Sequence, residues 1–175
     1  MTAVVLSIGS NLGDRLARLQ SVVDGLDGTV VAVSPVYETD AWGGVDQGPF
    51  LNAVVLGDDP ELNPHGWLRR AHQLEDAAQR VRAQRWGPRT LDVDLVSCRD
   101  SDGEVTVHDD VLTLPHPYAH VRAFVLAPWL AVDPQATLTV AGRVSSIAHL
   151  LDDVDPAERA GVRLTGQALR LGDGS

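Results

Sequence analysis

Apolar positions along the first hundred residues follow two different periods, separated by clusters of glycine and small polar residues. Residues 3–8 are short, β-branched and closed by Gly9-Ser10-Asn11-Leu12-Gly13, which is the pattern of a buried strand followed by a tight strand-to-helix turn. Leu16, Leu19, Val23 and Leu26 then recur every three or four positions, predicting an amphipathic helix that Gly25 and Gly28 end. Strand character returns over 29–33, breaks at Ser34-Pro35 and resumes over 36–39. A Gly-rich stretch over 42–49 has no period and reads as a functional loop. Residues 50–56 form another strand, and Asn63-Pro64 supplies an N-cap with proline at the first helical position. Trp67, Ala71, Leu74 and Ala78 share one face of the helix that follows. After a polar segment over 80–88, residues 91–96 alternate cleanly as a strand.

The order βαββαβ is the ferredoxin-like plan, an α+β sheet with two helices packed on one face. The later residues elaborate it. Short strands are expected within 105–114, a helix over 121–130, and a short helix over 147–151 opened by Ser145 or Ser146. Residues 161–171 read as an edge strand or a tail. With no internal repeat, low-complexity tract or linker in view, residues 1–175 are expected to form one domain.

Composition adds exclusions. At 44% apolar and 22% charged the chain is ordinary for a soluble globular protein, and it has no apolar run long enough to span a membrane. All 14 positive residues are Arg, against 24 acids and a formal net charge of −10. The absence of Lys removes Schiff-base chemistry and the P-loop signature, so Gly9-Ser10-Asn11-Leu12-Gly13 is better read as a turn than as a phosphate cradle. The acidity argues against a broad nucleic-acid surface. A single thiol, Cys98, offers neither a disulfide nor a cysteine-rich metal site. No basic flank and apolar core of a secretory leader open the sequence, and a cytoplasmic location is expected.

One segment concentrates chemistry. In the strand over 91–96, Leu91, Val93 and Leu95 point to the core, so Asp92 and Asp94 emerge together on the opposite face, about 7 Å apart at Cα. That spacing suits shared or bridged Mg²⁺ in a two-metal phosphoryl-transfer site, although a DxD pair alone is more often a solvated face. Just upstream, Arg80, Arg82, Arg85 and Arg89 gather positive charge within ten residues of an acidic chain. Guanidinium forks and metal-binding carboxylates together suggest ATP with Mg²⁺, against the plainer reading of a solubilising arginine run.

Other candidates are weaker. His116 and His120 stand four apart but beside two prolines, so contact of His116 with phosphate is preferred to a metal pair; His65, His108 and His149 carry no special signal. Trp67 and Trp129 read as core, whereas Trp42 and Trp86 lie in irregular segments where rings more often serve ligands. Phe50 beside Asn52 would suit a flat heterocycle, though the pairing is also common in plain cores.

Several separated motifs resemble the 6-hydroxymethyl-7,8-dihydropterin pyrophosphokinase family of folate biosynthesis. They are Ile8-Gly9-Ser10-Asn11-Leu12-Gly13-Asp14, Phe50-Leu51-Asn52-Ala53, Arg85-Trp86-Gly87-Pro88-Arg89-Thr90-Leu91-Asp92-Val93-Asp94, and Pro115-His116-Pro117 followed by Arg122-Ala123-Phe124. They agree with the family in order and spacing over about residues 4–150, and the arginine-rich string is highly specific. The resemblance implies a ferredoxin-like fold and transfer of a pyrophosphoryl group from ATP to the pterin hydroxymethyl oxygen, releasing AMP. It implies two Mg²⁺ on Asp92 and Asp94, with Arg82 and Arg89 completing the catalytic set. Glu75, Arg82, Trp86, Arg89, Leu95, Thr113, His116 and Arg122 would bind ATP. Phe50 and Phe124 would sandwich the pterin ring, with Asn52, Thr39 and Trp42 completing that pocket. Loops 80–88 and 42–49 would close over the substrates. A monomer is expected, with no nucleic-acid or membrane partner.

The chain departs from the family pattern at His72, at Asp40-Ala41, and at Val111, Tyr118 and Val121, which implies fewer phosphate contacts and a less rigid pterin loop. Fold alone also allows an RNA-recognition module, a regulatory ligand-binding domain or another two-metal phosphotransferase. The first needs aromatic strand motifs and a basic face, the second needs no paired aspartates, and the third would release ADP or pyrophosphate.

Overall fold

The computed structural model describes residues 2–11, 13–40, 48–80 and 91–172. The expected order is present: β1 (Thr2–Ser10), α1 (Arg15–Gly25), β2 (Val30–Val33), β3 (Pro35–Thr39), β4 (Phe50–Asp59), α2 (Pro64–Arg80) and β5 (Asp92–Asp100). Strands lie in the spatial order β3-β4-β1-β5 with every pairing antiparallel, which is the ferredoxin-like arrangement. Local chemistry explains the boundaries. Asp14 caps α1 by accepting from the Ala17 N–H at 3.1 Å, and Asn63 caps α2 by accepting from the Gly66 N–H at 2.8 Å, with Pro64 at the first helical position. The break at Ser34 keeps its backbone paired: its N–H donates to the Val54 carbonyl at 2.9 Å, and its hydroxyl accepts from the Val54 N–H at 2.8 Å.

The first sheet face follows the period-two pattern. Val4, Leu6 and Ile8 of β1, Leu51, Ala53 and Val55 of β4, and Val93 and Leu95 of β5 are buried with the apolar stripes of α1 and α2. Trp67 anchors α2 to this layer, and its Nε1 donates to the Thr2 carbonyl at 3.2 Å.

The second face is covered over only part of its length. A single 3₁₀ turn (Ala119–Val121) leads into α3 (Ala123–Val132), so the expected helix over 121–130 starts two residues later. With the short helix α4 (Ile147–Asp153), α3 buries Val54 and Val96 under Leu126, Trp129 and Ile147. Apolar residues on nearly every side of α3 fit a helix sandwiched between layers. Ser146 opens α4, accepting from the His149 N–H at 3.1 Å.

Smaller elements finish the molecule. β6 (Gly103–Glu104), β7 (Val107–His108) and β8 (Thr113–Leu114) are two residues each, and β9 (Thr137–Val140) pairs with β10 (Arg143–Ser146) in a hairpin. That hairpin turns on Ala141 and Gly142, both at positive φ. After α5 (Pro156–Ala160), the C-terminal segment is an edge strand, β11 (Val162–Ala168), paired with β3. Its register shifts between Leu164 and Ala168, around Gly166 at φ +79°. The outer edge of β5 is covered piecemeal: the Glu75 carboxylate accepts from the Val93 N–H at 3.0 Å, the His116 N–H donates to Val96 at 2.9 Å and the Val105 N–H to Cys98 at 2.8 Å. Among the described residues no helix is long and apolar enough to cross a membrane.

Candidate active site

Along the second sheet face the side chains change character from one end to the other. Toward the α3 end they are Val5, Val54, Leu56 and Val96; toward the other end they become Ser7 and Gly9 on β1, Asn52 on β4, and Asp92 and Asp94 on β5. Strand register aligns them, with Ser7 between Val54 and Asp94, and Gly9 between Asn52 and Asp92. A cavity of about 840 Å³ opens above this polar floor. Phe50, Thr39 and Asp40 stand on one side of it and Asp92 and Asp94 on the other, with His116 and Arg122 rising from the segment leading into α3 and Phe124 from its first turn.

Gly9 corrects an expectation. It lies inside β1 rather than in a turn, and its role is spatial, because a Cβ there would meet the Asn52 Oδ1 at 2.7 Å. Asn52, only 4% exposed, donates through Nδ2 to the Thr39 hydroxyl at 2.7 Å, which leaves Oδ1 as an acceptor above Gly9. The amide is thus fixed before any ligand arrives.

On the opposite wall the Arg122 guanidinium lies 5.6 Å from the ring centroids of both Tyr118 and Phe124, held by the negative faces of the two rings. His116 Nδ1 accepts from the Tyr118 N–H at 3.1 Å, so in the neutral ring the proton sits on Nε2. Burial, and then the charge of Arg122, hold the His116 pKa below its ordinary value. A neutral imidazole with an Nε2–H donor is the result at neutral pH.

On the Phe50 side of the cavity, the described chain before and after segment 41–47 is tethered at Asp40 and Pro49. Arg15 Nη1 donates to the Pro49 carbonyl at 2.7 Å and lies 3.7 Å from Glu38; Arg163 of β11 donates to Asp40 at 2.8 Å and to Glu38 at 3.3 Å. The hydrogen bond from Arg163 holds the Asp40 carboxyl below its usual pKa.

With this geometry in view, comparison with known proteins is decisive. The sequence profile of the family described as 7,8-dihydro-6-hydroxymethylpterin-pyrophosphokinase (HPPK) matches residues 5–134. The chain belongs to the HPPK family. It is 60% identical over 169 residues to the 2-amino-4-hydroxy-6-hydroxymethyldihydropteridine pyrophosphokinase of Mycobacterium tuberculosis, covering 94% of this chain and 90% of that one. The enzyme of the same name from Mycobacterium leprae is 61% identical over 177 residues, covering 98% and 93%. Among solved structures, wild-type HPPK-DHPS of Plasmodium falciparum superposes with a TM-score of 0.61 at 14% identity, over 86% of this chain and 44% of that longer one, a likeness of fold.

The cavity brings together many of the residues singled out from the sequence. Asp92, Asp94, His116, Arg122, Thr39, Phe50, Asn52 and Phe124 all line it. Three others do not. Leu95 is buried in the α1–α2 core, Thr113 pairs with His108 in the β7–β8 ladder, and Glu75 reaches the Val93 backbone between the two aspartates. Trp42, Arg82, Trp86 and Arg89, most of loops 42–49 and 80–88, and the closure expected of them lie outside the described residues. His116 and His120 are not on one helix, and no cluster of three metal-ligating side chains occurs among the described residues. His65, without signal in the sequence, meets Asp109 at 2.7 Å. Sequence reasoning did not single out Ser7 or Glu158 for the cavity wall. Ser7 had a signal, as a polar residue inside an apolar strand; Glu158 had none.

Proposed function

We propose that this cavity performs the HPPK reaction through the residues named above: the hydroxymethyl oxygen of 6-hydroxymethyl-7,8-dihydropterin attacks the β-phosphorus of ATP and AMP leaves. One observation carries the assignment of the site: an aromatic and amide-bearing wall and a pair of carboxylates share one floor of small side chains. Phe50 and Phe124 flank the flat ring, and Asn52 Oδ1, fixed by Thr39, accepts from it. The transfer asks for in-line positioning and charge stabilisation more than for a protein nucleophile. The His116 Nε2–H and the ring-held Arg122 donate to the triphosphate. Arg82 and Arg89 add charge at the phosphates, with Trp86, Glu75, Leu95 and Thr113 near the nucleotide and Trp42 near the pterin, as the family resemblance implies.

The residues fit Mg²⁺, which takes one or two carboxylates from a protein and leaves its other positions to phosphate and water; Asp92 and Asp94, side by side on β5, are such donors. When bound, two such ions would neutralise phosphate charge and orient the attacking hydroxyl. Cys98, buried and alone, suits a reducing cytoplasm.

The test is to incubate protein, ATP, Mg²⁺ and the hydroxymethyl dihydropterin and identify the nucleotide formed. AMP with the pterin diphosphate is expected. ADP or pyrophosphate would overturn the reading.

A further inference from the structure

The cavity has one wall from outside the region that the family profile matches. Glu158 sits on α5, after residue 134, and lines the same space as Thr39, Phe50 and Asn52. Its place is fixed by the chain on both sides. Asp155 caps α5 by accepting from the Ala157 N–H at 2.9 Å. The Asp40 N–H donates to the Gly161 carbonyl at 3.0 Å, and β11 begins its ladder with Val162 opposite Thr39. The neighbouring acid, Asp40, is engaged by Arg163, whereas the Glu158 Oε1 is closed off from solvent and accepts no hydrogen bond among the described residues. A buried carboxylate oxygen without a donor is costly unless something else supplies one. The last side-chain torsion is broad and roughly two-fold, so turning the carboxylate toward the cavity, which Oε1 requires before it can meet a donor there, has a low intrinsic cost.

We propose that Glu158 is a specificity-determining residue that receives the N–H donors of a 2-amino-4-oxopyrimidine edge on the heterocyclic substrate. The inference rests on the reading of this cavity as the pterin site. Such an edge places an exocyclic amino group beside a ring N–H, and a carboxylate accepts from both at once. Asn52 Oδ1 is a second acceptor, so this end of the cavity is built to take donors. A ring bearing a carbonyl in place of the amino group would set oxygen against oxygen and be refused.

The experiment follows AMP formation in the wild type, Glu158→Gln and Glu158→Ala with the pterin substrate and with its 2-oxo (lumazine) analogue. Both variants should raise the pterin KM about 10- to 100-fold, as expected for loss of a hydrogen bond to a charged group. The ATP KM should hold. Glu158→Gln, whose amide can donate to a carbonyl, should also narrow the preference for pterin over lumazine. An unchanged pterin KM and preference, or an equal rise in both KM values, would overturn the proposal. Should Glu158→Ala fold poorly by thermal melt, Glu158→Gln keeps the side-chain volume and decides the matter alone. A wild type that releases no AMP would defeat the reading of the site instead, before any variant is compared.

Discussion

The two halves of one sheet face met opposite fates. Val54 and Val96 disappear beneath α3 and α4, while Asn52 and Asp94, each two residues away on the same strands, face an open cavity. The β1–β4 ladder runs unbroken across the boundary, while the β1–β5 ladder shifts register between Val5 and Leu6, skipping Val96, and resumes with Ser7 opposite Asp94, so both halves remain strand-paired. What differs is which groups can bear to lose water. A valine gains by being covered, whereas a carboxylate covered without a partner loses several kcal/mol or more, by order of magnitude. The helices stop where the polar residues start, and function occupies the ground they leave.

The sharpest way to break this comparison is to move the charge. Val96→Asp places a carboxylate under α3 and should cost upwards of about 3 kcal/mol, measured by urea unfolding, and leave little folded protein. Asp94→Ala, two residues along, should do the reverse: its side chain is exposed, so the melting temperature should move by no more than about 2 °C. Turnover, however, should drop at least about a hundredfold if the aspartate carries phosphate-neutralising ions. Normal turnover in both Asp92→Ala and Asp94→Ala would remove the metal assignment.

A gentler intrusion is Gly9→Ala, which fills the floor. Its methyl collides with Asn52 Oδ1, so the amide must shift. A stability loss of about 1–3 kcal/mol is expected, with a pterin KM raised more than that for ATP. Equal changes in the two constants would show that Asn52 does not serve the pterin.

His116 makes the boundary sensitive to pH. Its folded pKa lies below the ordinary 6.5, so the unfolded chain binds the proton more readily. Its contribution to stability is therefore present above about pH 6.5 and is lost as pH falls through the folded value. His116→Gln should show a smaller drop in melting temperature between neutral and mildly acidic buffer than the wild type. The smallest effect concerns Cys98, whose thiol burial pushes up to about 12: native protein at pH 8 should resist alkylation that denatured protein undergoes readily.

Much of this was legible in the sequence because periodicity and capping act locally. The stripes of α1 and α2, the Asn63-Pro64 start and the alternation of β5 all appear where the pattern places them. Gly9 was read as a turn because small polar residues that floor a cavity look, in sequence, like those that reverse a chain. The β9–β10 hairpin went unseen because Ala141 occupies a positive-φ position where Asn or Asp is the usual signal. In the site, the aspartates and the Phe50-Asn52 strand announced themselves through alternation, but the stacking of Arg122 between two rings depends on a loop path with no period. Glu158 was hidden for a stronger reason: it reaches the cavity that Thr39 lines only when β11 docks beside β3, more than a hundred residues later in the chain.

That docking has a wider consequence. Open sheets invite strand addition from other molecules wherever a long, straight margin is left bare. Here β11 shields β3 but is itself bent at Gly166, and at the far margin β6 runs for only two residues. The strand that anchors one wall of the cavity also ends the sheet on a poor template, and a tag or fusion that peels it away would expose recruitable backbone to every other copy in solution.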